Sequence, residues 1–554
     1  MRKWWHQAVV YQVYWRSFFD ANQDGMGDLQ GVIEKLDYLT DLGVNALWLN
    51  PFFESPDVDN GYDISDYRAI SSKAGTMEDF DELLHKMHKR KMSLIIDMVI
   101  NHTSDKHPWF VESRKSKDNL YRDFYIWRSQ KNNWRSYFSP SAWTFDEGTG
   151  EYYFHSFTSA QPDLNWENPL VREAVFEVIE YWLKKGVDGI RFDAISLLAK
   201  IPGMPDVTRP EDISYLGNQP KVHEYLRELN ERFLSRYDLM TVGEVAFVTP
   251  KEGLLYVDET RRELDSLFHF QVLDDMPTWD LQRFKQIQRD WYATLNERGW
   301  MAQFLNNHDH TRLVTRYGND REFRRESATC FATLLHTLPG IPYIYQGEEI
   351  GMTGVRYDSI ELYQDVAIKE RYKEKIAKGI SPQEALVSLQ MLARDNSRTP
   401  MQWDESIHAG FSQVAPWIAV NPNYRDINVE ADLRHPQSIF RYYQRLISLR
   451  SSSFWQVAGV FVEGLPDHPT LYVYRRSLDH DSHVVLLNFS TEDVLLPDVS
   501  TCFPEWRQLG GEEWTVTINN YADAIWDRPI AWPVILRPYE AYILSKESFL
   551  NKKT

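Results

Sequence analysis

One unit recurs along most of the chain: an apolar stripe at helical spacing, a glycine, then a short apolar run. Val32, Leu36 and Leu39 form a stripe, Gly43 breaks it, and Val44–Leu49 follows as a strand. Met77, Phe80, Leu83, Leu84 and Met87 lead into Leu94–Ile100. Val175, Val178, Ile179, Trp182 and Leu183 precede Gly186 and then Gly189-Ile190-Arg191-Phe192-Asp193. Val222, Leu226, Leu229 and Phe233 come before Met240–Glu244, and further runs stand at Val9–Tyr14, Ser266–Phe270, Met301–Leu305 and Ile341–Gln346. Parallel strands need crossover connections, and helices supply them, so this alternation is the grammar of a parallel sheet. About eight such strands spread over roughly 350 residues predict an α/β fold of the (β/α)8 TIM-barrel type rather than an open sheet.

Two segments break the rhythm. Residues 103–165 are rich in aromatic and polar residues without the repeat, which predicts a subdomain inserted after the third strand. Beyond about residue 470 the stripes stop, and short strands such as Thr470–Tyr474, His483–Leu487 and Tyr539–Leu544 predict a C-terminal antiparallel β domain. The expected organisation is a barrel over 1–102 and 166–470, an insert over 103–165 and a β domain over 471–554.

Charge narrows the partners. A net charge of −19 repels phosphate backbones and anionic lipids, so neither nucleic acid nor membrane is expected. No window approaches the roughly 20 apolar residues of a spanning helix. Cys330 and Cys502 have no metal or redox spacing and fit a reducing compartment. The start, Met1–His6, leads directly into a strand without a signal-peptide pattern, so a cytoplasmic location is expected. The sequence carries no sign of an oligomeric state.

In a parallel barrel the active site lies at the carboxyl ends of the strands. Strand three ends Asp97–His102, strand four ends Arg191-Phe192-Asp193, strand five ends Gly243-Glu244, and strand seven leads to Asn306–Asp309. Any one acid there could merely cap the next helix. Several acids on one rim, with an arginine two residues before one of them, suit glycosidic bond cleavage. That chemistry needs one carboxylate to attack the sugar carbon and one carboxylic acid to protonate the leaving oxygen. Arg191 would keep Asp193 ionised, and the apolar setting of Glu244 would raise its pKa toward the acid role.

Asp97–His102 (DMVINH), Gly189–Asp193 (GIRFD), Gly243-Glu244-Val245 and Asn307-His308-Asp309 resemble, in order, the four motif regions of the α-amylase superfamily, glycoside hydrolase family 13. Gln161–Asn165 (QPDLN), Asn60–Ile64 (NGYDI) and Arg394–Trp403 (RDNSRTPMQW) are similar to its α-glucosidase and oligo-1,6-glucosidase branch. The resemblance implies Asp193 as nucleophile, Glu244 as acid/base and Asp309 as transition-state stabiliser in a retaining mechanism. It implies that Tyr62 stacks on the sugar, His102 and His308 bond its hydroxyls, and Asp59 with Arg398 clamps its 4-hydroxyl, making the enzyme exo-acting on short oligosaccharides.

The segment Asp20–Asp28 places hard oxygen donors at alternate positions, as calcium loops do, but position 12 is Gly31 and a strand precedes it, so it is no EF-hand. By resemblance it would hold a structural Ca2+ (Mg2+ as the alternative) on Asp20, Asn22, Asp24 and Asp28 and the Met26 carbonyl. No organic cofactor is expected. Ala194, following the nucleophile, stands where α-1,6-cleaving relatives usually carry Val, which favours α-1,4 linkages as in maltose. His310 and Thr311 stand where many relatives have Gln-Pro, which bears on fine specificity. An oligo-1,6-glucosidase, a transglycosylase or isomerase of the trehalose synthase or sucrose isomerase type, and a non-enzymatic transporter heavy chain are the alternatives. The retained acids and the lack of a membrane helix weigh against the last.

Overall fold

The computed structural model describes residues 3–296, 298–452, 455–479, 481–503, 514–521, 523 and 526–546. The outer ends of the expected domains, 1–2 and 547–554, lie outside the described residues.

All eight expected barrel strands form: β1 Val10–Val13, β2 Ala46–Leu49, β3 Ser93–Val99, β4 Gly189–Asp193, β5 Met240–Val245, β6 Ser266–His269, β7 Trp300–Gln303 and β8 Ile341–Tyr345. They close in the order β1-β8-β7-β6-β5-β4-β3-β2, each neighbour parallel. The runs are apolar along their length because both faces are covered: the barrel interior lies on one side and helices on the other. The helix Met77–Lys89 shows how the sequence sets such a cover. Thr76 and Asp79 cap its start reciprocally, and Phe80, Leu83, Leu84 and Met87 are buried. Helix Pro169–Lys185 begins on the Asn168 cap and stops at Gly186, whose φ of 100° only glycine adopts without strain.

The insert after β3 carries a three-stranded antiparallel sheet of Trp127–Arg128, Glu151–Phe154 and Trp143–Asp146. It is anchored to the barrel through Asp163, which is fully buried. The Asp163 carboxylate accepts from Asn101 Nδ2 at 3.1 Å and from Ser156 Oγ at 2.6 Å, and pairs with Lys200 Nζ at 2.7 Å. Lys200 belongs to the loop after β4, so one ion pair ties the insert to the loop that follows the candidate nucleophile.

Two boundaries differ from expectation. The β domain begins before 471: β9 Val460–Gly464 pairs antiparallel with β10 Leu471–Leu478. The sheet continues with β11 Asp481–Asn488, β12 Thr515–Asn519 and β13 Ala541–Lys546 in the order β9-β10-β11-β13-β12. As an edge strand that leaves Val460 exposed, β9 lacks the buried run that marks a strand in sequence. The second difference follows β8. Helices Val366–Ala377 and Pro382–Gln390 form a lobe around Tyr357, Tyr363, Ile368, Leu386 and Leu389. Among the described residues no helix is long and apolar enough to cross a membrane. Cys330 and Cys502 are both buried and free.

Replacing Lys200 with Met would leave the Asp163 charge buried without its cation. Breaking a buried pair this way costs about 3–5 kcal/mol, so the urea midpoint should fall clearly. An unchanged midpoint would show that the pair does not hold the insert.

Candidate active site

The candidate acids converge where the barrel logic places them, around a cavity of about 570 Å3 at the carboxyl rim. Asp193, Glu244 and Asp309 line it together with Asp59, Tyr62, His102 and Ala194. Three expected sugar-binding residues, Arg191, His308 and Arg398, are buried behind that lining rather than part of it.

Arg191 organises the centre. Its Nη1 donates to Asp97 Oδ1 at 2.7 Å and to Asp193 Oδ1 at 2.6 Å, and its Nη2 donates to Glu244 Oε2 at 2.5 Å. Asp97 also accepts from Tyr62 Oη at 2.9 Å and Trp48 Nε1 at 3.2 Å, and Glu244 from the Ala194 N–H at 3.0 Å. One cation thus faces three carboxyl groups, Asp97 and Asp193 buried and Glu244 half-buried. Burial raises Glu244 to about 8, with Asp193 adding to the rise and Arg191 opposing it. Burial also lifts Asp193, to about 6, against the pull of Arg191. Arg191 therefore holds Asp193 below Glu244 without restoring an ordinary carboxylate. The ordering leaves Glu244 the proton and Asp193 the charge.

Asp309 is the opposite case. Burial works against its charge, but His308, Arg398 and Arg394 overcome that and hold it far below the usual range. Burial keeps the His308 imidazole neutral, so its 3.0 Å contact with Asp309 is a hydrogen bond, and the arginines supply the charge. Gln12 Nε2 donates to His308 Nδ1 at 2.8 Å, which leaves the Nε2–H to face Tyr62 Oη at 2.7 Å and Asp309. The Tyr62 and His308 rings stack at 5.4 Å.

Asp59 and Arg398, expected to clamp the sugar's 4-hydroxyl, each bond other partners in this structure. Arg398 donates to Asp309 Oδ1 at 2.7 Å and to the His308 carbonyl at 2.9 Å. Asp59 instead receives Arg394 Nη2 at 2.9 Å, and Arg394 also holds Asp365 at 2.8 Å. The two arginines are one turn apart in the same signature. Gln161, the first residue of the QPDLN motif, also lines the cavity. Its Nε2 donates to Asp59 Oδ2 at 3.2 Å and lies 3.2 Å from His102 Nε2.

The sequence matches the alpha amylase catalytic domain over residues 12–459. The chain belongs to the alpha-amylase family. An oligo-1,6-glucosidase of Parageobacillus thermoglucosidasius is 51% identical over 520 residues, covering 90% of this chain and 92% of the relative. The oligo-1,6-glucosidase of Bacillus cereus is 47% identical over 562 residues, covering 98% of this chain and 99% of the relative. The structure of an isomaltulose synthase mutant from Erwinia rhapontici NX5 with sucrose superposes with a TM-score of 0.93 at 39% identity, covering 99% of this chain and 100% of that one. This member of the alpha-amylase family is a glycoside hydrolase.

The Asp20–Asp28 turn uses its carboxylates on its own backbone. Asp20 accepts from the Gln23 and Gly25 N–H groups at 2.7 and 2.8 Å, and Asp28 caps the next helix at Gly31 N with 2.6 Å. The donors are hard oxygens of the kind calcium prefers. Their arrangement is a self-bonded turn, and among the described residues no three His, Cys, Asp or Glu side chains gather as a metal centre.

The two raised groups set a pH window. With Asp193 as nucleophile and Glu244 as acid, activity would need Asp193 ionised, which comes as pH rises through about 6, and Glu244 protonated, which is lost as pH passes about 8. The kcat/KM profile should be a bell between those limits, since it reports the free enzyme. Glu244→Gln should remove the alkaline limb for an aryl glucoside whose leaving group needs no proton. If that limb survives in the variant, Glu244 is not the acid.

Proposed function

We propose that the protein is an exo-acting, retaining α-glucosidase that releases glucose from the non-reducing end of short α-1,6-linked glucosides such as isomaltose. The observation that carries the reaction class is the shared grip of Arg191 on Asp193 and Glu244. One guanidinium spans both carboxyl groups, which favours the retaining separation of about 5–5.5 Å over the ~6.5–9.5 Å that leaves room for water in inverting enzymes. Asp193 attacks the anomeric carbon while Glu244 gives its proton to the leaving oxygen. Water then attacks the glucosyl ester, Glu244 takes the water's proton, and Asp193 returns as carboxylate. Asp309 faces the developing positive charge. Tyr62, His102 and the Asp59–Arg394 pair surround the terminal glucose, and that fixed charge pair supports attack at chain ends only.

The α-1,4 preference expected from Ala194 lacks support, and the oligo-1,6-glucosidase names of the relatives at 51% and 47% identity favour the alternative. The physical reason lies in the site itself. Ala194 is one small side chain, 8% exposed, among many around a cavity of about 570 Å3. Its φ of 44° and ψ of 37° aim its N–H at Glu244. Its backbone thus has a duty in the catalytic centre whatever the linkage.

Equal isomaltose and maltose in separate reactions should give faster glucose release from isomaltose, by at least the roughly 10-fold that small pocket differences command. Faster release from maltose would restore the α-1,4 reading, and a new disaccharide in place of glucose would indicate a transferase.

A structural Ca2+ or Mg2+ on Asp20, Asn22, Asp24, the Met26 carbonyl and Asp28 is part of the proposal. Dialysis against EDTA should then lower Tm, and calcium should restore it, because an ion that binds only the folded state stabilises it. Elemental analysis of the undialysed protein showing no bound metal would sink this idea.

A further inference from the structure

Tyr62 Oη stands at the meeting of three short contacts, and a hydroxyl has one proton to give. Asp97 Oδ2 lies 2.9 Å away, Asn50 Nδ2 2.7 Å and His308 Nε2 2.7 Å. Gln12 Nε2 in turn reaches Asn50 Oδ1 at 3.0 Å and His308 Nδ1 at 2.8 Å. Gln12, Asn50, Tyr62 and His308 thus close a ring of hydrogen bonds. Gln12 lies on β1 and Asn50 directly follows β2, and both are buried. Neither belongs to any of the motifs that mark the site.

Only one direction of donation fits this ring. The two N–H groups of the Gln12 amide serve Asn50 and His308. The Asn50 amide and the His308 Nε2–H give to Tyr62, and Tyr62 gives its proton to Asp97. Every contact then joins a donor to an acceptor. Turning one amide alone sets oxygen against oxygen, or nitrogen against nitrogen, between Gln12 and Asn50. Turning both puts the ring proton on Nδ1 and leaves Tyr62 one proton for three acceptors. A second proton on the imidazole is opposed by burial, which keeps His308 neutral.

The direction matters at Asp309, whose Oδ2 lies 3.0 Å from His308 Nε2. With the proton on Nε2 that contact is a hydrogen bond, whereas with it on Nδ1 a lone pair faces a carboxylate. We propose that Gln12 and Asn50 are positioning residues for the reaction, which fix the His308 tautomer and through it hold the Asp309 carboxylate in place. The proposal rests on the α-glucosidase reading above and deepens it. It also commits the Tyr62 proton to Asp97, so Tyr62 meets the sugar through its ring.

Gln12→Met keeps the length of the side chain and removes both N–H groups. It should lower kcat/KM for isomaltose and maltose alike by about 5- to 150-fold, the cost of one buried acceptor left unpaired. Gln12→Glu offers one proton when neutral and none when ionised, so it restores part of that loss at low pH and gives it up as pH rises. Per folded enzyme, followed by far-UV circular dichroism, the ratio of Q12E to Q12M activity should fall at least about fivefold across the bell. A ratio that stays flat with pH, or wild-type activity in Q12M, makes the pair mere filling and overturns the proposal. The tautomer is read on the wild-type enzyme, independently of how the variants fold. Nitrogen NMR of protein labelled in its histidine rings, with His308 identified by its absence in His308→Asn, should show Nε2 protonated and Nδ1 bare. A protonated Nδ1 overturns the proposal and leaves the α-glucosidase reading standing. Wild-type enzyme that releases no glucose from either sugar overturns both.

Discussion

A single buried guanidinium among three carboxyl groups is the constraint on which the site depends. Arg191 and Asp193 lie two residues apart on β4, so both point into the barrel. The parallel register sets Asp97 of β3 directly beside Arg191 and Val99 beside Asp193. On the other side Val242 of β5 pairs with Arg191, which carries Glu244 level with Asp193. A slip of one residue in either pairing would turn an acid away from the cation. With one positive charge for three acids in a buried space, not all three can ionise, and the carboxyl that keeps a proton becomes the general acid. Glu244 keeps the proton because burial raises it furthest, to about 8 against about 6 for Asp97 and Asp193.

The same separation of protonation states extends to the third acid by different means. Asp309 sits off the end of β7, outside the reach of Arg191, and is held by Arg398 and Arg394 from the segment after β8. Its charge is held by those arginines and in turn adds to the rise of Glu244. A titration of Asp193 or Glu244 leaves Asp309 charged. His308 links the two systems through hydrogen bonds alone, because burial keeps it neutral between Gln12, Tyr62 and Asp309.

Much of this was legible in sequence because the barrel writes it locally. A strand buried on both faces, ended by polar residues and followed by a capped helix, needs only neighbouring residues to be recognised, and all eight such strands stand close to where the pattern put them. The acids at their ends were legible for the same reason. What stayed hidden depends on contacts between distant segments. Arg394 and Arg398 are alike in sequence, and only packing against Asp59 and Asp309 tells them apart. The contacts of His308 with Tyr62 and Asp309 join segments that no single motif spans. The lobe over 366–390 and edge strand β9 bury too little of themselves to leave a clear period.

Linkage preference is hidden for a further reason, which lies in how the cavity divides. On the glucose side each polar group answers a specific partner, so single residues carry information and motifs can report it. On the leaving-group side Phe270, Leu273 and Pro277 come from the segment after β6, and Ile368, Met391 and Leu392 from the lobe after β8. Its shape is a sum of side chains, none decisive alone, and Ala194 adds only a small face to it. Selectivity written in apolar volume spreads over many residues and changes by modest factors at each, whereas selectivity written in buried hydrogen bonds is concentrated and steep. The same fold can therefore keep its glucose site fixed while the choice of what glucose is joined to drifts with the lining of the other half.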